Sequence, residues 1–234
     1  GLTEAEVSGA LLCLDVTERV VDEAITKGCN LIVAHHPLIF RKLSQVTDAN
    51  YVQRTVIKAI KNDIVIVAMH TNLDAAFGGV NFKIAEKLRL RDVRFFGREK
   101  VVTNPLTDKK VTGGDGVIGC FDTPLAADDL ILLLKKEFDV ECVQANELLR
   151  REIRTVALCG GSGSFLLQDA INAGADAFIT GEMGYHEFFG HEQEIQLCVI
   201  GHYQSEQYTT EVLRDVIERD CPGVKCCISE INTN

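Results

Sequence analysis

Four of the six histidines in this 234-residue chain, His35, His36, His70 and His202, each follow a short apolar run, and two carboxylates, Asp74 and Glu206, come four residues after His70 and His202. Imidazoles together with carboxylates form a donor set that suits zinc, iron, manganese or cobalt. A carboxylate can bridge two such ions at the roughly 3.5–4 Å spacing used for hydrolysis. A His-His pair with His-x-x-x-Glu supplies enough donors for two ions with positions left open, which a catalytic site needs and a structural one does not. Side chains of an extended chain alternate in direction, so His35 and His36 are expected to serve one ion each. An isolated His-His pair is read equally well as one core histidine bonded to a carbonyl and one solvated histidine. The concentration of histidines at strand ends favours the metal reading.

Strands must deliver those side chains. Leu31-Ile32-Val33-Ala34 is apolar without helical spacing and predicts a buried strand, which Pro37 stops because it has no backbone donor. Strand ends of open α/β sheets are where ligands sit. Upstream, the apolar run over 7–16 predicts a strand, and Thr17 caps a helix to about residue 27 with Val20, Val21, Ala24 and Ile25 on one face and Gly28 after it. Strand, helix and strand make a right-handed parallel unit. A helix over about 50–59 has Val52, Val56, Ile57 and Ile60 as its buried stripe. Residues 64–70 predict a third strand, 71–74 a loop and 81–88 a helix. Residues 89–110, with more Arg and Lys than Asp and Glu and with Pro105 among them, read as a solvated connector between lobes, whose charge could also draw an anion. A turn over 113–116, a strand over 117–121 and a helix opened by Thr123-Pro124 follow, with Asp128 and Asp129 in its early turns. Further strands are expected over 141–144 and 156–159.

Composition narrows the function classes. The chain is 46% hydrophobic and 25% charged, an ordinary globular balance. A net charge of −10 argues against a nucleic-acid partner, which needs a basic surface, and leaves room for a small anionic substrate at a local patch. No apolar run approaches the roughly 18–20 residues of a membrane span, and no signal segment opens the chain, which begins with Gly. Nine cysteines, an odd number without any C-x-x-C pair and mostly within apolar runs, read as reduced small hydrophobes of a cytoplasmic protein. Cys221, Cys226 and Cys227 could cluster, although burial or idle exposure is the plainer reading.

An internal echo is present. At an offset of 146, Leu12-Cys13 falls on Leu158-Cys159, Gly28 on Gly174 and His36 on Glu182; at 132, residues 65–70 fall on 197–202 and Asp74 on Glu206. The matched positions suggest an ancient duplication. Two related halves are expected, residues 1–97 with 195–234 as the metal-binding α/β lobe and residues 98–194 as the second.

The strings Ile32-Val33-Ala34-His35-His36-Pro37-Leu38-Ile39-Phe40, His70-Thr71-Asn72-Leu73-Asp74-Ala75-Ala76, Thr180-Gly181-Glu182 and Gly201-His202-Tyr203-Gln204-Ser205-Glu206 resemble, in order, motifs of the NIF-three-like family, whose members are often labelled GTP cyclohydrolase I type 2 homologues. The resemblance implies a NIF-three-like fold of two related three-layer α/β lobes facing a central metal-containing cleft. It implies two divalent ions, with His35 and Asp74 on one, His36 and His202 on the other and Glu206 bridging both. His70 would then orient a ligand from outside the coordination sphere. The family usually assembles as toroidal hexamers. The short 91–113 stretch leaves no room for the domain that some members insert there, and the family's N-terminal strand and helix are largely absent from this chain.

Several groups have two readings each. His186 matches a family histidine near the metals and could act as general acid or base, or be a surface histidine. Glu182 at a strand end could orient water or a ligand, or be a simple cap. Cys159-Gly160-Gly161-Ser162-Gly163-Ser164 could cradle a phosphate with backbone donors, but it lacks the P-loop lysine and a tight turn is the plainer reading. His191 has no partner pattern and is expected to be exposed. The leading functional expectation is a dinuclear metal-dependent hydrolase acting on a small nucleotide-like or phosphorylated substrate, with activated water as attacking group and His186 as proton donor. The alternative is a non-catalytic metal-binding or regulatory protein.

Overall fold

The computed structural model describes residues 1–105 and 107–234. It begins with β1 (Ala10–Cys13), α1 (Glu18–Thr26) and β2 (Leu31–Ala34). Thr17 caps α1, its Oγ1 accepting from the Val20 N–H at 3.4 Å, and Gly28 takes the left-handed conformation just beyond the helix. Then come α2 (Tyr51–Lys61), capped by Asn50, β3 (Val65–Ala68), the single turn α3 (Thr71–Asp74) and α4 (Val80–Lys87). The stripe expected on α2 is corrected in part. Val52 and Val56 pack on the core and Ala59 is buried, but Ile60 is 67% exposed.

Residues 89–110 are not a connector. Apart from Leu106, which lies outside the described residues, they belong largely to a long antiparallel ribbon of β4 (Arg91–Thr103) and β5 (Lys110–Leu125). Its basic side chains sit mostly on exposed strand positions, while Phe95 and Phe96 are buried. The glycine run read as a turn lies inside β5, where Gly114 makes room for Phe95, whose Cβ a side chain there would approach to 2.8 Å. Strand β5 also continues through Thr123-Pro124, so the next helix, α5 (Ala127–Phe138), starts later than expected and without a side-chain cap. Asp128 and Asp129 still occupy its first turn, where the helix dipole favours anions.

The chain continues with β6 (Gln144–Ala145), β7 (Ile153–Cys159), α6 (Leu167–Asn172), β8 (Ala177–Thr180), β9 (Gln196–Val199), α7 (His202–Glu206), α8 (Thr209–Asp220) and β10 (Cys226–Ile228). Two compact units result, residues 1–72 with 209–234 and residues 73–208. The lobes expected from the sequence change over at residues 97 and 195, whereas here α4, all of β4, β9 and α7 lie in the second unit. The first holds a parallel sheet in the order β10-β1-β2-β3 over a core that includes Leu11, Val20, Val21, Ile32 and Ile64. In the second, the order is β4-β5-β7-β8-β9-β6, parallel across β7-β8-β9 and antiparallel toward both edges. Phe96, Phe178, Ile195 and Leu197 are among its core residues. No helix among the described residues is long and apolar enough to cross a membrane.

Candidate metal centre

In the first unit the ladder stops at Cys13 opposite Ala34, and the chain bends at His35 and His36. Their backbone N–H groups still donate to Cys13 O (3.1 Å) and Leu14 O (2.9 Å). Because the strand has ended, strict alternation no longer applies, and the expectation that the two rings point apart is corrected. Their centroids lie 4.8 Å apart, with the His70 ring at 5.5 and 5.6 Å. One ring nitrogen from each histidine falls within 4.8 Å of the others, so His70 joins the pair as a possible ligand as well as an orienting group.

Hydrogen bonding selects the tautomers. His35 is fully buried, with Nδ1 2.9 Å from the Met69 carbonyl. A carbonyl only accepts, so Nδ1 carries the proton and Nε2 of the neutral ring offers its lone pair. His36 Nδ1 lies 2.8 Å from Asp15 Oδ1, and Asp15 Oδ2 accepts from Thr233 Oγ1 at 2.8 Å. Asp15 was not singled out by sequence reasoning, since nothing local marks it as facing a residue 21 positions on.

In the second unit, His202 and Glu206 stand one helical turn apart on α7, with Nε2 and Oε2 separated by 3.2 Å. His202 Nδ1 lies 2.8 Å from Glu182 Oε1, and Ser162 Oγ donates to the other oxygen of Glu182. The hydrogen bond to Glu206, aided by Glu182 and opposed by burial, pushes the His202 imidazolium up to about 9. Glu182 is held below the usual carboxylate range by Ser162 first, then by His202, against some burial. A ring flanked by two carboxylates suits a divalent cation, which would take the place of the Nε2 proton. Glu206 is buried, and Asp74 ends α3.

The buried Asn81 ties this region together. Its Nδ2 donates to the Asp74 and Asp115 carbonyls (3.1 and 3.2 Å), and its Oδ1 accepts from Gly160 N–H (2.9 Å). An Asn inside an amphipathic helix is the one sequence signal that could have identified it.

The phosphate-cradle reading of residues 159–164 is corrected. Gly160, Gly161 and Gly163 N–H groups already donate internally to Asn81, Ser205 and Thr180 side chains. The loop serves close approach instead. Gly161, at φ +60°, passes so near Glu206 that a Cβ would run into its carboxylate and lie 3.3 Å from His202 Nε2. The Cys159 thiol is pushed up to about 12 by burial first and then by Asp74, so it stays protonated. His186 is exposed on the 3-10 turn Tyr185–Phe188, its ring centroid 5.1 Å from Tyr185 and 6.1 Å from Phe189. His191, expected to lack a partner, pairs through Nδ1 with Glu194 Oε2 at 2.8 Å.

His35, His36 and His70 could thus hold a metal ion, and His202 with Glu206 offers two further donors. A GTP cyclohydrolase 1 type 2 homolog of Clostridium perfringens is 34% identical over 208 residues, covering 88% of this chain and 76% of the relative. Another from Lactococcus lactis is 31% identical over 235 residues, covering 98% and 85%. Among solved structures, a hypothetical protein of Staphylococcus aureus superposes with a TM-score of 0.88 at 27% identity, covering all of this chain and 88% of the other. Residues 1–234 match the Duf34/NIF3 (NGG1p interacting factor 3) family model, and the chain is a member of that family.

Proposed function

We propose that the protein is a dinuclear metal-dependent hydrolase acting on a small nucleotide-like or phosphorylated substrate, in the manner its relatives' name suggests. The observation that carries this reading is that His35, His36 and His202 each have Nδ1 engaged by an oxygen acceptor, which makes Nε2 the ring nitrogen that would meet a metal. Metal-ligating histidines are almost always fixed this way. Following the family motifs, His35 and Asp74 would hold one divalent ion, His36 and His202 the other, and Glu206 would bridge. Bound ions of this kind supply Lewis acidity and activate water near neutral pH. The chain's own residues do the rest. Asp15 and Glu182 hold their rings in the ligating tautomer, Gly161 lets the loop backbone pass the Glu206 carboxylate, and His186 is assigned the proton to the leaving group.

The second reading, a non-catalytic metal-binding or regulatory protein, is favoured by the exposed position of His186. Self-association as a toroidal hexamer and a cytoplasmic location are proposed from the family resemblance and the cysteine pattern. Metal analysis of protein purified without added ions, followed by a screen of nucleotides and phosphoesters, separates the two readings. Two ions per chain with turnover of a screened compound supports the hydrolase. Two ions without turnover supports the alternative. Glu206→Gln is expected to lose at least one ion per chain; unchanged metal content would overturn the bridging role.

A further inference from the structure

At the β6 edge of the second unit's sheet lies a groove of about 490 Å³, lined in part by Ala145, Glu147, Tyr185, Phe188, Phe189 and Glu192. None of the proposed metal ligands lines it, although its aromatic wall belongs to the turn that carries His186. Two of its aromatic walls are costly to leave in water, Tyr185 being 74% and Phe189 53% exposed. Their rings meet at 88° with centroids 5.2 Å apart, forming a corner of two π surfaces. Phe188 packs on the core and anchors the turn.

The groove is held in shape from both sides. Gly184 N–H donates to Glu187 Oε2 (2.6 Å), and Glu187 N–H returns to Gly184 O (2.9 Å). On the opposite wall Asn146 donates to Ile195 O (2.9 Å) and accepts from Leu197 N–H (2.9 Å). A preformed site binds without an ordering cost.

Every charge lining the groove is negative. Glu147 shares one oxygen between Arg150 (3.2 Å) and Gln193 (3.3 Å), so its charge is partly offset. Glu192 accepts from the backbone N–H of Gly190 (3.2 Å), and among the described residues no Lys or Arg forms a salt bridge with it. Perpendicular aromatic walls with a carboxylate beside them suit a cation of low hydration, because ring faces attract positive charge but replace few hydrogen bonds.

We propose that this groove binds a small organic cation through a methylated ammonium head, seated in the Tyr185–Phe189 corner and balanced by Glu192. A strongly hydrated metal ion would find too few oxygen ligands there, and an anion would be repelled.

The test compares choline with its neutral carbon isostere, 3,3-dimethyl-1-butanol, by saturation-transfer difference NMR titration on the full chain. Choline is expected to bind about tenfold more tightly than the isostere. Glu192→Gln is expected to raise choline's Kd several-fold and leave the isostere unaffected, whereas Phe189→Leu weakens both. Equal affinity for the two probes would reduce the groove to a plain apolar depression and overturn the proposal. So would choline binding that neither variant changes, or no binding by a variant-free protein whose circular dichroism reports a folded chain. The result does not depend on metal content, so its failure leaves the metal reading standing.

Discussion

Asp15→Ala isolates the claim that an outer carboxylate holds His36 in its ligating form. Asp15 spends both oxygens, one on His36 Nδ1 and one on Thr233 Oγ1, each at 2.8 Å. Removing it lets the ring rotate and exchange tautomers, so only a fraction of molecules present Nε2. Outer partners of metal-bound histidines are worth about 10–100-fold in affinity, or about 1.4–2.7 kcal/mol at 1.36 kcal/mol per decade. Asp15→Asn retains an acceptor for Nδ1–H but loses the charge, so its loss is expected near the lower end. Thr233→Val leaves Asp15 in place and is expected to cost about threefold or less, since the hydrogen bond it removes acts on the His36 ring only at one remove. The assay is zinc competition against a chromophoric chelator, with urea unfolding of the ion-free protein as a check on folding. Asp15→Ala binding zinc as tightly as the unmodified protein would refute the reasoning, as would a Thr233→Val loss exceeding that of Asp15→Ala.

Three further substitutions test other parts of the second unit. Gly161→Ala and Gly174→Ala both place a side chain at positive φ, a strain of about 1–2 kcal/mol each. A Cβ on Gly174 meets nothing within 4 Å, whereas one on Gly161 meets the Glu206 carboxylate. Both are expected to lower Tm, but only Gly161→Ala should lose cation affinity; equal affinity in the two variants contradicts the close-approach role. Asp176 tests acid stability. Burial alone would raise its carboxyl, but the Thr155 and Arg154 N–H groups (2.8 and 3.0 Å) and Arg151 together hold it below the usual range. A carboxyl lowered in the folded state contributes stability that is present above its unfolded value, about 3.9, and is lost as pH falls through the folded one. Asp176→Asn should therefore cost about 1–2 kcal/mol at pH 7 by urea unfolding, with the gap narrowing toward pH 3. A gap of equal size at both values would contradict that sign.

The sequence carried those features whose causes are local. The Thr17 and Gly28 boundaries of α1 were legible because a cap and a left-handed residue act within a few positions. The β4–β5 ribbon was not. Its basic composition resembles a solvated connector, and the glycines at 114 and 116 resemble a turn until Phe95 and Phe96 are seen filling the space they leave. The supports of the histidine rings were equally hidden. Asp15 meets Thr233 across 218 positions, and Ser162 meets Glu182 across a strand, which no spacing rule encodes.

The internal echo shows how a small slip hides geometry. Cys13 pairs with Ala34 and Cys159 with Thr180, which preserves the offset of 146 between the first two strands of each set. Ala34 then pairs with Ala68 and Thr180 with Val199, so the third strands are related by 131 residues and not 132. His70 is therefore level with Gly201. It lies just ahead of α3, where its ring joins those of His35 and His36, while His202 is the first residue of α7. Identical spacing, His-x-x-x-Asp and His-x-x-x-Glu, thus has different consequences. Within α7 four residues make one helical turn and bring Nε2 of His202 to Glu206, whereas His70 stands outside the turn that ends in Asp74. If the two halves descend from one ancestor, that single residue is what separated a histidine that clusters with other histidines from one paired with its own carboxylate.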